Sequence, residues 1–205
     1  MAAAAAPGWY GKLPTVGDFA GRRLPPEFVE PWDSWLAQGL GLWRQDDAQW
    51  LDTYLAMPSL RFAMNFTPGG ALQRHLTLAW TGVLMPSVDS IGRYFPLTLA
   101  CVLPALPDAT TLVPWLDRLD ELALSTLHDD WAIETLESAL LALGAPPDAP
   151  SDSTLPGGLA HALASCPRGQ ALWWSRANGQ GPARELSSTR GLPTGADFIQ
   201  LLRGH

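Results

Sequence analysis

Three features of the 205-residue sequence predict an α+β fold, a central antiparallel sheet with helices on both faces. Leu60, Phe62, Met64 and Phe66 alternate with Arg61, Ala63, Asn65 and Thr67, the period of two expected of a half-buried strand. Two apolar runs, Thr77 to Met85 and Tyr94 to Leu103, flank turn formers that include Pro86, Ser87, Asp89, Ser90 and Gly92, as in a hairpin. Apolar stripes at three- and four-residue spacing occur at Phe28, Trp32, Trp35 and Leu36, and again from Trp115 to Ala123.

In chain order, Trp9 to Leu13 and the segment after Gly17 predict a short strand-turn-strand opening. Leu24-Pro25-Pro26-Glu27 predicts a helix start, since proline is tolerated in the first turn, where its missing N–H has no partner to lose. Pro31 either kinks that helix or marks its true first turn. Trp43 to Tyr54 predicts a second short helix capped by Asp46 or Asp47. Leu76, Leu78 and Trp80 carry the alternation into the hairpin, so three consecutive strands form a meander. In the second hairpin strand Phe95, Leu97, Leu99, Cys101 and Leu103 share one face, while Ala100 and Val102 make the other apolar too. That strand is expected to be covered on both sides.

Thr110 or Thr111 is expected to cap the next helix. Asp129 or Asp130 would cap the one after, which has Ile133, Leu136, Leu140 and Leu143 as its stripe and Gly144 then Pro146 as its stop. Four prolines and three glycines between Gly144 and Gly158 read as a linker or long surface loop. Beyond it, Leu159 to Ala164 predicts a short helix, Ala171 to Ser175 a strand, and Ala196 to Leu202 a closing helix. The expected organisation is a domain over residues 1–143, a loop over 144–158, and a C-terminal extension over 159–205 packed on the same domain.

The formal charge of −7 argues against nucleic acid or an anionic membrane as partner, because binding to phosphates draws on clustered Lys and Arg and here Lys12 is the single lysine. Met1 to Ala6 is too short for a signal peptide, and no stretch approaches the roughly 20 apolar residues that cross a bilayer. A soluble, cytoplasmic chain with no membrane insertion is expected. Cys101 and Cys166 lack metal-type spacing and are expected as thiols in a reducing compartment. His75, His128, His161 and His205 are scattered, so no metal site is expected, and no phosphate loop follows Gly69-Gly70 or Gly157-Gly158. No cofactor is implied.

The dense motifs are Gly8-Trp9-Tyr10-Gly11-Lys12-Leu13-Pro14 through Gly17-Asp18-Phe19, with Arg22 and Leu24-Pro25. They continue through Trp32-Asp33-Ser34-Trp35-Leu36, Trp50, Tyr54-Leu55, Pro58 and Arg61-Phe62. Densest of all are Met85-Pro86-Ser87-Val88-Asp89 and Gly92-Arg93-Tyr94-Phe95-Pro96-Leu97. Together, over about residues 8–103, they resemble the TagF (ImpM) family of type VI secretion-associated proteins. The resemblance implies a longin-like fold with a five-stranded antiparallel sheet. It also implies a non-catalytic, post-translational repressor that acts on the forkhead-associated scaffold protein of that system. No phosphatase segment of the kind fused to some family members is present in the sequence.

Lys12, Asp18, Arg22, Ser87, Asp89 and Arg93 fall in the motif segments at expected strand ends, where they could meet as a charged cluster. Such a cluster is either an internal ion-pair network or a partner-contacting surface, and Arg61 could join it. Ser87 has no nucleophile elbow around it and no nearby histidine, so it reads as a turn-capping hydroxyl. A hydrolase or nucleotide switch using Ser87, Asp89 and Arg93, and a structural part of the secretion apparatus, are the alternatives. Trp173 and Trp174 must point to opposite faces of a strand, so one could be exposed as an interface aromatic or covered by the closing helix.

Overall fold

The computed structural model describes residues 6–69, 78–128, 131–147, 157–175 and 186–203. The elements are β1 (Gly8–Gly11), β2 (Ala20–Arg22), α1 (Pro26–Asp46), α2 (Trp50–Ala56), β3 (Leu60–Met64), β4 (Ala79–Met85) and β5 (Leu97–Leu103). They continue with α3 (Ala109–Ser125), α4 (Ile133–Leu143), α5 (Gly157–Ala164), β6 (Gln170–Trp174), β7 (Ser187–Arg190) and α6 (Ala196–Arg203).

Every pairing is antiparallel, and the strands run β2-β1-β5-β4-β3-β6-β7. Among the described residues the sheet therefore has seven strands rather than the expected five, because β6 adds to β3 and β7 adds to β6. The predicted β3-β4-β5 meander stands at its centre. Its two faces are buried by different helices. Val83, Leu97, Leu99, Leu172 and Trp174 pack with α3, α4 and Leu163 of α5, while Phe62, Trp80, Leu84 and Trp173 pack with α1, α2 and α6.

This double cover corrects the half-buried reading of β3, all five residues of which are buried. It also corrects the reading of Trp173 and Trp174 as interface aromatics, since the two point to opposite faces and are 1% and 4% exposed. Phe95 precedes β5 and packs on the α1 side, opposite to Leu97.

Helix α1 runs unbroken through Pro31 for 21 residues, longer than its stripe predicts, and absorbs the expected start of the second helix. Asp47 ends α1 and its Oδ1 accepts from the Gln49 amide at 2.8 Å, so the acid organises the corner instead of capping α2, which starts at Trp50. Asp108, not a threonine, caps α3: its Oδ1 accepts from the Thr110 amide at 2.8 Å. The N-cap of α4 is Ala132, and the expected caps Asp129 and Asp130 lie outside the described residues. So do His75, His205 and most of the 144–158 loop. Gly144, at φ 64°, stops α4 as its sequence predicts. Cys101 is buried in β5, where desolvation pushes its thiol up to about 12, and Cys166 is half-buried in a separate loop.

Candidate functional site

At one end of the sheet, the loop after β1 (residues 12–19) lies against the β4–β5 connection (residues 86–96). Gly11 makes the approach possible. It has φ +140°, and a Cβ there would sit 2.2 Å from the Pro96 carbonyl oxygen, so the Gly-Lys step of the motif is a steric requirement. Lys12 follows directly and is directed inward, 3% exposed.

A buried ammonium needs an anion, and Asp89 supplies it. Lys12 Nζ lies 2.5 Å from Asp89 Oδ2, which also accepts from Arg93 Nε at 2.7 Å. Asp89 Oδ1 accepts from the backbone amides of Arg93 at 2.8 Å and Ile91 at 3.2 Å, closing the turn in which Gly92 has φ +81°. Desolvation would raise the Asp89 carboxyl, but the hydrogen bonds from Lys12 and from the Arg93 backbone and side chain outweigh it and hold it well below the ordinary carboxylate range.

The two loops are tied at further points. Ser87 Oγ donates to the Lys12 carbonyl at 2.8 Å, the Ser90 amide donates to the Val16 carbonyl at 3.1 Å, and Arg93 Nη2 donates to the Gly17 carbonyl at 2.5 Å. Underneath, the buried Tyr54 hydroxyl donates to the Ser87 carbonyl at 3.0 Å and accepts from the Ser87 amide at 2.9 Å. Desolvation pushes the Tyr54 phenol well above its ordinary value, so it stays neutral in both roles.

Of the six expected cluster residues, Lys12, Ser87, Asp89 and Arg93 are thus brought together. Asp18 sits at the margin, its Oδ1 3.7 Å from Arg93 Nη2, with an 81% exposed side chain. Arg22 does not join. It lies on β2, donates to the Gly21 carbonyl, and lines a groove with Phe19, Leu24, Val29 and Glu30. Arg61 does not join either. Its guanidinium turns to the α3 face and pairs with Asp117 at 2.6 Å and Asp120 at 3.0 Å. Asp120 in turn accepts a hydrogen bond from Ser59. That second buried network was missed because Asp120 stands within an otherwise apolar helical stripe; the polar residue in such a stripe is the one available signal.

The arrangement therefore has an interior and a rim. The interior charges and the Ser87 hydroxyl are occupied by bonds within the chain, whereas the rim exposes Ile91 (67%), Phe19 (42%), the Asp18 carboxylate and one side of the Arg93 guanidinium, which also bonds Asp89 and Gly17. Phe19 rests on Phe95 (centroids 4.8 Å apart) and on Tyr10 (5.8 Å), with the Lys12 ammonium 4.4 Å from its ring centre. Among the described residues no group of three His, Cys, Asp or Glu could hold a metal ion, and no helix is long and apolar enough to cross a membrane.

The depressed Asp89 value has a definite sign. A carboxyl more acidic in the folded than in the unfolded chain contributes stability above its unfolded pKa, and that contribution is lost as pH falls through the folded value. Asp89→Asn should lower the urea midpoint most above about pH 5, with the gap to wild type narrowing steadily towards about pH 3. A gap independent of pH would exclude ionised Asp89 as the source of the tie.

Residues 8–143 match the family model described as the TagF N-terminal domain, type VI secretion system-associated. Among solved structures, the chain is similar to the crystal structure of PA0076 from Pseudomonas aeruginosa PAO1. Their TM-score is 0.77 at 39% identity, over 98% of this chain and 95% of that one. No curated protein matches the sequence.

Proposed function

This chain belongs to the TagF family of type VI secretion-associated proteins, and from that premise we propose that it is a non-catalytic, cytoplasmic negative regulator of type VI secretion. In this reading it binds the forkhead-associated scaffold protein of the system and lowers the amount free for assembly. In the same reading, β1 to β5 with their helices correspond to the longin-like unit that the family resemblance implies, with β6 and β7 as additions to it.

The observation that carries the reading is the division of the candidate site. Its interior ionic and hydroxyl groups are spent on fixing two loops, and the rim facing solvent holds Ile91, Phe19, the Asp18 carboxylate and the outer side of the Arg93 guanidinium, whose inner side is bonded to Asp89 and Gly17. A rigid rim of this kind suits association: loops already ordered lose little further entropy on binding, and arginine and aromatic side chains dominate binding energetics.

Calorimetric titration with the forkhead-associated protein of the same bacterium tests it. Wild type should bind with a Kd of about 1 μM or tighter, and Ile91→Asp, which leaves the interior ties intact, should weaken binding by about tenfold or more. Equal binding by the variant would move the interface away from this rim. No binding by wild type would overturn sequestration.

A further inference from the structure

The sheet has two edges, and they are treated differently. The β2 edge is only three residues long and ends at Arg23, the one non-glycine residue with positive φ (61°) among the described residues. That backbone is held by the side chain, whose Nε donates to the Pro7 carbonyl at 2.9 Å while Nη1 pairs with Glu137 of α4. Glu137 also accepts from the buried Trp9 indole at 2.5 Å. The chain is thereby turned away from the edge, one of the ways in which proteins stop strands from pairing further.

Among the described residues, the β7 edge is not turned away in this manner. Ser187, Ser188, Thr189 and Arg190 pair in unbroken register with Trp173, Leu172, Ala171 and Gln170, without a proline, a lysine or a bulge. The other side of β7 makes no backbone hydrogen bond to any described residue. Its N–H and C=O groups form a template that one more strand would satisfy.

Charge indicates what kind of strand fits. Arg190 stands at one end of the β6–β7 ladder, and Arg168 precedes the turn at that same end, where the Gly191 amide donates to the Gly169 carbonyl at 2.8 Å. Both arginines are exposed, and neither has a carboxylate partner among the described residues. On a chain of formal charge −7, two unneutralised arginines make a local cationic pole.

We infer that β7 is a second docking surface, which takes an extended acidic segment of a partner protein as an eighth strand, its carboxylates placed against Arg168 and Arg190. The serine and threonine side chains of β7 are short enough to let another backbone approach, and they can exchange cross-strand hydrogen bonds with it. This surface is separate from the Ile91 rim, so its failure would leave the regulatory reading untouched.

The probe is a fluorescently labelled peptide, Glu-Glu-Thr-Val-Thr-Val, and its reversed sequence, because an added strand can run either way. A copy N-methylated at alternate residues serves as control. One of the two orientations should bind the full-length protein with a Kd below about 1 mM, and hydrogen exchange should slow over residues 187–190. N-methylation, which removes strand donors, and the charge reversal R168E/R190E should each weaken binding by about tenfold or more.

Absence of protection over 187–190 with both peptides at millimolar concentration would overturn the proposal. Equal binding of the N-methylated copy would do the same. Sedimentation supplies the remaining outcome: a dimer of the free protein that Ser188→Pro dissociates would assign the edge to a second copy of this chain, and that too would overturn it.

Discussion

Arg61→Met is expected to destabilise the fold by about 3–5 kcal/mol, because it leaves a carboxylate inside the protein without its cation. Arg61 is 2% exposed and Asp120 is 1% exposed, so neither has water to fall back on. In wild type the guanidinium spans Asp117 and Asp120, and Ser59 adds a further donor to Asp120. After substitution Ser59 is the remaining side-chain donor to the buried acid among the described residues. The loss should appear as a lower urea midpoint at unchanged slope. A loss below about 1 kcal/mol would mean that Asp120 reaches solvent on losing its partner.

The second arm of the experiment separates pair from packing. Breaking one side of a buried ion pair is costly, but replacing both sides by apolar residues of similar size is often neutral. Arg61→Met with Asp120→Leu should therefore recover most of the stability lost by Arg61→Met alone. The position of Arg61 explains what the pair does in the fold. It lies between Val83 of β4 and Trp174 of β6, beneath α3, so it fixes a helix of the family-matched region to the strand where the C-terminal extension joins the sheet.

What the sequence makes legible here follows the distance between partners. The Asp89–Arg93 pair is local: aspartate, glycine and arginine within five residues bounded by apolar runs already imply a turn closed by its own side chain. Lys12 was legible as the lone lysine in a dense motif, though its burial beneath that turn depends on Gly11 passing Pro96, a contact between segments far apart in the chain.

Arg61 was misplaced for the opposite reason. Its alternation with Leu60 and Phe62 suggests a solvent-facing side chain, and only the helices on the second face make that side interior. β7 left no trace because a run of serine, serine, threonine and arginine carries no apolar alternation; its partner strand, not its composition, makes it a strand. Trp173 and Trp174 obey the strand rule of opposite faces. Yet in a sheet covered on both sides that rule no longer distinguishes inside from outside.

Trp32→Ala should cost a further large amount, about 3–5 kcal/mol, through the cavity it opens between α1 and the sheet. The indole is fully buried, with ring centres 5.1 Å from Phe28, 4.7 Å from Trp35 and 5.2 Å from Phe62. These neighbours come from α1 and β3 and cannot all collapse into one void. The substitution also removes the hydrogen bond from Trp32 Nε1 to Thr98 Oγ1 (2.8 Å), leaving a buried hydroxyl in β5 without its donor. Trp32→Phe isolates that second effect, since most of the ring volume stays while the N–H is lost; it should cost about 1–3 kcal/mol. If Phe is as damaging as Ala, the hydrogen bond to Thr98 rather than the cavity dominates, and Thr98→Val should then be comparably damaging. If Phe is nearly neutral, packing alone holds α1 on the sheet. Because α1 also carries Arg44, which donates to the Tyr94 carbonyl at 3.3 Å, loosening this helix should lower exchange protection in the β4–β5 connection as well. Unchanged protection there in Trp32→Ala would show that the loop beside Ile91 is held by its own ties to Lys12 and Gly17 and not through α1.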